Sequence, residues 1–192
     1  MLLFVNGHLI WNYFVFAGHF CGTGMENASK RRPVVMKTLI VYETKHGTVE
    51  HAVALLAGKL HGETRTARVS DTLPKLSKFD TVIIGGSIYF GEIQKTLAMF
   101  MVKNREELLG KRLGLFICGA HPDPAEREKE LENAFPKEFR DRAEAQAIFG
   151  YQIHFQELNP LERSIAKSIL RQKVDKVGLN EEAIEAFAAK FN

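Results

Sequence analysis

The chain has 192 residues, 45% apolar and 26% charged, with six prolines and two cysteines, which implies one domain of ordinary size able to bury a full core. Lys30, Arg31 and Arg32 against Glu26 give the first 35 residues +2 of the formal net charge of +3. Everything from Met36 onward is therefore almost neutral, which excludes a general nucleic-acid binder, and Cys21 and Cys118, without CxxC, HExxH or a carboxylate–histidine cluster, provide neither a disulfide framework nor a metal site.

Residues 1–35 read as an N-terminal extension and 36–192 as the folded domain. Met1 to Phe20 is mostly apolar and about long enough to cross a bilayer. Asn6, His8, Asn12 and His19 interrupt it, and no positive residue precedes it as in a signal peptide. Lys30, Arg31 and Arg32 follow it, consistent with an anchor whose C-terminal side is cytoplasmic. Three readings stay open: upstream sequence ahead of a start at Met25 or Met36, a membrane anchor, or an extra packed helix.

From Met36 strands and helices alternate. Residues 37–42 are predicted as a first strand and 48–60 as a helix, with Val49, Val53, Leu56 and Leu60 on one face and Gly62 ending it. A short strand is expected at 63–69 and a polar connection at 70–78. A buried strand follows at 80–85, and a helix at 93–103 presents Ile93, Leu97, Phe100 and Met101. A fourth strand is predicted at 111–118, then a charged helix from Pro122–Pro124 to about Phe135, then a fifth strand at 143–149. Asn180 caps a last helix with Glu181 and Glu182 in its first turn, where the dipole favours carboxylates. This alternation predicts an α/β fold with a five-stranded parallel sheet covered on both faces, strand order 2-1-3-4-5. Residues 150–178 fall outside the alternation and read as an insertion before the last helix.

Ligands of such sheets sit beyond the carboxyl ends of the strands. The loop after the first strand offers the hydroxyls of Thr44 and Thr48, a permissive Gly47, and the N–H groups and positive dipole end of the next helix. That set holds a phosphate without a cluster of cations; Lys45 and His46 add charge or face solvent. The same residues also make an ordinary strand–helix turn. GxxxxGK[ST] and GxGxxG are both absent, which argues against nucleotide hydrolysis and against a dinucleotide. The loop after the third strand, Ser87-Ile-Tyr-Phe-Gly91, places two aromatics at a sheet end, able to stack on a flat heterocycle or to cap the core. The loop Cys118-Gly-Ala-His121 would close the other side of a ring. His121 is the titrating side chain there, and Cys118 reads as a buried apolar residue. A phosphate loop beside a ring loop points to FMN. No catalytic residue is assigned.

These runs resemble a known family. Lys37-Thr-Leu-Ile-Val-Tyr-Glu-Thr-Lys-His-Gly-Thr-Val-Glu50 is similar to the flavodoxin phosphate loop, and Asp80-Thr-Val-Ile-Ile-Gly-Gly-Ser-Ile-Tyr-Phe-Gly91 to the flavodoxin loop that holds the isoalloxazine. The resemblance implies a flavodoxin-like three-layer sandwich. It implies that Thr44, Lys45, His46, Gly47, Thr48 and Val49 surround the phosphate. It also implies that Ser87, Ile88, Tyr89, Phe90 and Gly91, with Cys118, Gly119, Ala120 and His121, flank the ring. His46 and Val49 stand where the family usually has threonines. In pattern the chain resembles more closely the flavodoxin-like protoporphyrinogen dehydrogenases that use menaquinone. Those also carry an insertion late in the fold, similar in placement to Phe149-Gly-Tyr-Gln-Ile-His-Phe-Gln156 and Leu161-Glu-Arg-Ser-Ile-Ala-Lys-Ser-Ile-Leu-Arg171.

The insertion is expected to form a basic amphipathic helix at 160–174. Leu161, Ile165, Ile169 and Leu170 lie on one face and Arg163, Lys167 and Arg171 on another. Such a helix lies on an anionic membrane or packs on the sheet with its charged face solvated. The resulting expectation is an FMN-dependent oxidoreductase of the protoporphyrinogen IX dehydrogenase (quinone) type in heme biosynthesis. It would be cytoplasmic, peripheral at the inner face of the membrane, with a redox partner or quinone and no nucleic acid. The alternatives are a flavodoxin-type electron carrier without its own substrate, and an interaction domain without FMN.

Overall fold

The β-branched runs become the inner strands of a parallel sheet. A computed structural model describes residues 35–89, 91–119, 121, 123–151, 160–161, 164 and 178–192. Five strands, β1 (Lys37–Glu43), β2 (Glu63–Arg68), β3 (Thr81–Ser87), β4 (Arg112–Cys118) and β5 (Ala143–Ile148), lie in the order β2-β1-β3-β4-β5, and every neighbouring pair is parallel. This is the expected order. Residues 1–34, with nearly all of the N-terminal extension, lie outside the described residues.

Burial follows position in the sheet. β1, β3 and β4 are buried over almost their whole length, while β2 and β5 keep solvent-facing positions. A strand covered on both faces must be apolar at successive positions, whereas an edge strand need not be. Successive side chains point to opposite faces, so the inner strands feed two cores. Leu39, Val41, Val82, Ile84, Leu113, Leu115 and Ile117 enter one; Ile40, Tyr42, Ile83, Phe116 and Cys118 enter the other.

Helices close both faces. On the second face lie α1 (Thr48–Lys59), through Val49, Ala52, Val53 and Leu56, and the last helix α6 (Glu181–Ala188), through Ile184, Phe187 and Ala188. The first face is covered by α2 (Lys95–Lys103), α3 (Arg105–Leu109), α4 (Pro124–Ala134) and α5 (Lys137–Arg142), through Leu97, Phe100, Met101, Leu108, Leu131 and Phe139. Asn180 caps α6 as expected, its side chain accepting from the Ala183 N–H at 3.1 Å. Among the described residues no helix is long and apolar enough to cross a membrane.

Two helices and one strand pair go beyond the sequence expectation. The helix from residue 93 starts two residues later and breaks at Asn104, whose Nδ2 donates to the Phe100 carbonyl at 2.8 Å; α3 then begins at once. After Pro136 the chain turns into α5, which carries Phe139 into the core. Beyond β5, β6 (Gly150–Tyr151) pairs antiparallel with β7 (Gly178–Leu179). Tyr151 and Gly178, on either side of residues 152–177, are thereby paired. Of the helix expected at 160–174, the described residues Pro160, Leu161 and Ser164 are helical and exposed; its other residues lie outside the described set.

Candidate functional site

Three loops meet at the carboxyl end of the sheet, after β1, β3 and β4. The first spans residues 44–47. Gly47 is the N-cap of α1 at φ 76, a left-handed conformation, and no side chain caps the helix. A side chain added at Gly47 would meet nothing within 4 Å, so the loop is open where backbone approach matters, and the positive φ rather than lack of space favours glycine. Thr48 is buried, and Val49 is fully buried in the core with α1, so the loop sees Val49 through its backbone. The Thr44 hydroxyl is buried with no hydrogen-bond partner among the described residues. A buried hydroxyl that satisfies nothing internally is suited to a ligand that brings its own acceptor.

Behind this loop stands a pair that the sequence does not single out. Glu43, at the end of β1, is buried, and its Oε1 accepts from the Arg68 guanidinium at 3.0 Å and from the Thr44 N–H at 3.2 Å. The same guanidinium nitrogen donates to the Thr44 carbonyl at 3.3 Å. Parallel pairing of Tyr42 with Arg68 brings this arginine to the loop. That neighbour is legible only through strand order.

The second loop leaves β3 at Ser87. Gln94 Nε2 donates to the Ser87 carbonyl at 2.9 Å and also binds the Ser87 hydroxyl. Tyr89 and Glu92 exchange backbone hydrogen bonds of 2.9 and 3.2 Å, closing a turn that holds Gly91 at φ 78. Phe90 lies outside the described residues. Lys45 Nζ sits 3.3 Å from the centroid of the Tyr89 ring, and the His46 ring lies 6.4 Å from it. A cation over an aromatic face is an attractive contact, and here it ties the first loop to the second.

The third loop joins through backbone. Ile88 N–H donates to the Cys118 carbonyl at 2.8 Å, and Gly119 N–H to the Gly150 carbonyl at 3.1 Å, so the base of the insertion sits against this loop. Cys118 is buried, and burial pushes its thiol up to about 12, which leaves it a protonated packing residue. His121 Nδ1 accepts from the Asp123 N–H at 3.2 Å, and Asp123 caps α4. Ala120 and Pro122 lie outside the described residues. Two further groups, absent from the sequence expectation, gather here. Glu130, on α4, has a buried Oε2 with no hydrogen-bond partner among the described residues, close against Gly119. Burial raises its carboxyl above the ordinary range, with His121 and Arg127 opposing and Glu126 adding to the rise. The Tyr151 hydroxyl is likewise buried without a partner among the described residues, and burial raises its pKa too.

The structure thus brings Thr44, Lys45, His46 and Gly47 together with Tyr89, and joins Ile88 to Cys118. A model of the family described as flavodoxin domain matches residues 39–177. The chain belongs to the flavodoxin family. That membership supports FMN as the cofactor. No curated protein matches the chain. Among solved structures, the oxidised flavodoxin 1 of Bacillus cereus is similar in fold, with a TM-score of 0.52 at 14% identity over 81% of this chain and 96% of that one. A short-chain flavodoxin associated with a non-canonical PDU bacterial microcompartment gives a TM-score of 0.51 at 16% identity, with the same coverage of 81% and 96%.

The site residues fit such a group. The uncapped α1 N-terminus and the unsatisfied Thr44 hydroxyl provide donors for a phosphate. Tyr89, held by Lys45, provides an aromatic beside it.

Proposed function

We propose that the protein is an FMN redox protein holding the cofactor across these three loops. The observation that carries the reading is the Thr44 hydroxyl, buried and unsatisfied, beside the uncapped, left-handed Gly47 entry to α1. FMN, when bound, supplies one- or two-electron transfer. In this reading Thr44, Thr48 and the N–H groups at residues 47–49 bind the phosphate, with Lys45 and His46 beside them. Residues 87–91 and 118–121 flank the ring and exclude water from it.

The finer reading is a protoporphyrinogen IX dehydrogenase that passes electrons to a quinone. What supports it is the placement of the insertion in the sequence: Tyr151 and Gly178, on either side of residues 152–177, pair in β6 and β7, and the Gly150 carbonyl accepts from the Gly119 N–H of the ring loop. A carrier without its own substrate has no evident use for an extra segment that starts and ends beside this loop. The competing reading is a plain electron carrier that exchanges electrons with a redox partner.

Purified protein should show flavin absorbance, or acquire it on titration with FMN, with quenching of flavin fluorescence. A protein that neither carries nor binds FMN would overturn the reading in favour of an interaction domain. Anaerobic bleaching of the bound flavin by protoporphyrinogen IX, with reoxidation by a menaquinone analogue, is expected of the dehydrogenase. Bleaching only by a reductase or chemical reductant selects the carrier.

A further inference from the structure

The flavodoxin phosphate loop usually relies on threonines that this chain replaces with His46 and Val49, and Val49 turns its side chain into the core. A buried carboxylate, Glu43, also sits one residue from the candidate phosphate position. Left alone, that carboxylate would repel an incoming phosphate. Its Oε1 is bound by Arg68 at 3.0 Å, and Arg68 also holds the Thr44 carbonyl at 3.3 Å, while the Thr44 N–H is fixed on Glu43 at 3.2 Å. Both backbone groups of Thr44 are therefore clamped, and its hydroxyl is the polar group left unsatisfied.

We propose that Arg68, reaching across from β2, is a positioning residue for the phosphate. It neutralises Glu43 and fixes Thr44 so that the hydroxyl faces the anion. The proposal rests on the FMN reading above. Arg68 needs no contact with the phosphate itself. The pair is buried on the Glu43 side and partly exposed on the Arg68 side, and Glu43 Oε2 and Arg68 Nε have no partner among the described residues, so the charge of Glu43 is met by Arg68 through Oε1 alone.

The test compares FMN with riboflavin, which has the same ring and no phosphate. In the full-length protein Arg68→Gln should weaken FMN binding by about tenfold to a hundredfold, the range for losing a charge-assisted hydrogen bond. Riboflavin affinity should stay unchanged. The double variant E43Q/R68Q should recover most of the FMN affinity, because the offending charge is gone and the amide that replaces the Glu43 carboxylate still has an oxygen to accept from the Thr44 N–H. Arg68→Lys, which keeps the charge without the fork, should fall between. Circular dichroism and thermal melts establish that each variant is folded. Should Arg68→Gln fail to fold, the double variant and Arg68→Lys carry the comparison. Equal losses for FMN and riboflavin, or no loss for either, would overturn the proposal. Failure of the unmutated protein to prefer FMN over riboflavin would instead overturn the FMN reading on which it rests.

Discussion

At the scale of single residues, Gly47 carries two demands that can be separated. Its φ of 76 is costly for any residue with a branched Cβ, by about 1–2 kcal/mol, whereas asparagine tolerates that conformation comparatively well. The space around its missing Cβ is open, so no core contact is lost by filling it. Gly47→Val should therefore lower the melting temperature and remove FMN binding together. Gly47→Asn should melt close to the unmutated protein yet bind FMN poorly, because its side chain occupies the approach to the loop. Full FMN affinity in folded Gly47→Asn, measured by fluorescence quenching, would remove the phosphate from this loop.

Glu130 allows a prediction of a different kind. Burial raises its carboxyl above the ordinary value of 4.5. The folded protein then binds a proton that the unfolded chain has already released. By linkage, stability falls as pH rises from about 4.5 through the folded-state value. The charges of His121 and Arg127 oppose the rise and that of Glu126 adds to it, but burial is the largest cause. Glu130→Gln keeps the shape and removes the ionisation. Its melting temperature should exceed that of the unmutated protein at pH 7, and the two should converge toward pH 4. A variant equally destabilised at both pH values would show that the Glu130 carboxyl makes a contact worth more than its burial costs.

At the scale of elements, the inner strands depend on close fit across the sheet. Gly85 of β3 lies opposite Phe116 of β4 in the register, and a Cβ at Gly85 would overlap the Phe116 ring. That ring stacks on Phe149 at 4.6 Å, and Phe149 meets Phe187 of α6 edge-on at 5.3 Å. Gly85→Ala must push this stack outward, against a core packed like a solid. A cost of about 1–3 kcal/mol is expected, read as a lower denaturation midpoint with an unchanged denaturant slope. Phe116→Leu added to Gly85→Ala should recover part of the loss, since the overlap disappears. Simple additivity of the two variants would mean that the strands shift and the ring does not.

The same elements explain what the sequence made legible. β1, β3 and β4 are apolar through their central residues because both faces are covered, and that pattern needs no tertiary knowledge. α1 showed itself through its periodicity, and α6 through Asn180 and the carboxylates of its first turn. By contrast, α5 is a short polar segment with one core residue, Phe139, after Pro136; nothing local separates it from a loop. β6 and β7 are two residues each and exist only because segments far apart in sequence pair. The site divides likewise. Thr44, Gly47 and Tyr89 announce themselves as loop residues after apolar strands. Arg68 and Glu130 reach the loops from a neighbouring strand and a following helix, so their roles follow from topology and not from spacing.

At the scale of the whole molecule, the insertion is where a carrier and a membrane-linked enzyme diverge. Residues 160–178 contain Arg163, Lys167, Arg171, Lys173 and Lys176 against Glu162 and Asp175, a net of +3 in a chain whose total is +3. Leu161, among the described residues, is 69% exposed and so is not packed on the sheet. An enzyme that hands electrons to a quinone needs to reach a lipid surface, and a basic amphipathic segment supplies both attraction and an apolar face. Each basic residue near an anionic surface contributes about 1 kcal/mol, screened over about 8 Å at physiological salt. The protein should therefore co-sediment with vesicles containing anionic lipid, less so as salt rises. The stretch 1–20 is also mostly apolar, so the decisive comparison is within the full-length chain. The triple variant R163E/K167E/R171E should lose the salt-dependent part of binding and keep FMN. Neutral vesicles should show little difference between the two proteins. If the triple variant binds anionic vesicles as well as the unmutated chain at every salt concentration, the insertion is not the membrane contact, and the carrier reading gains.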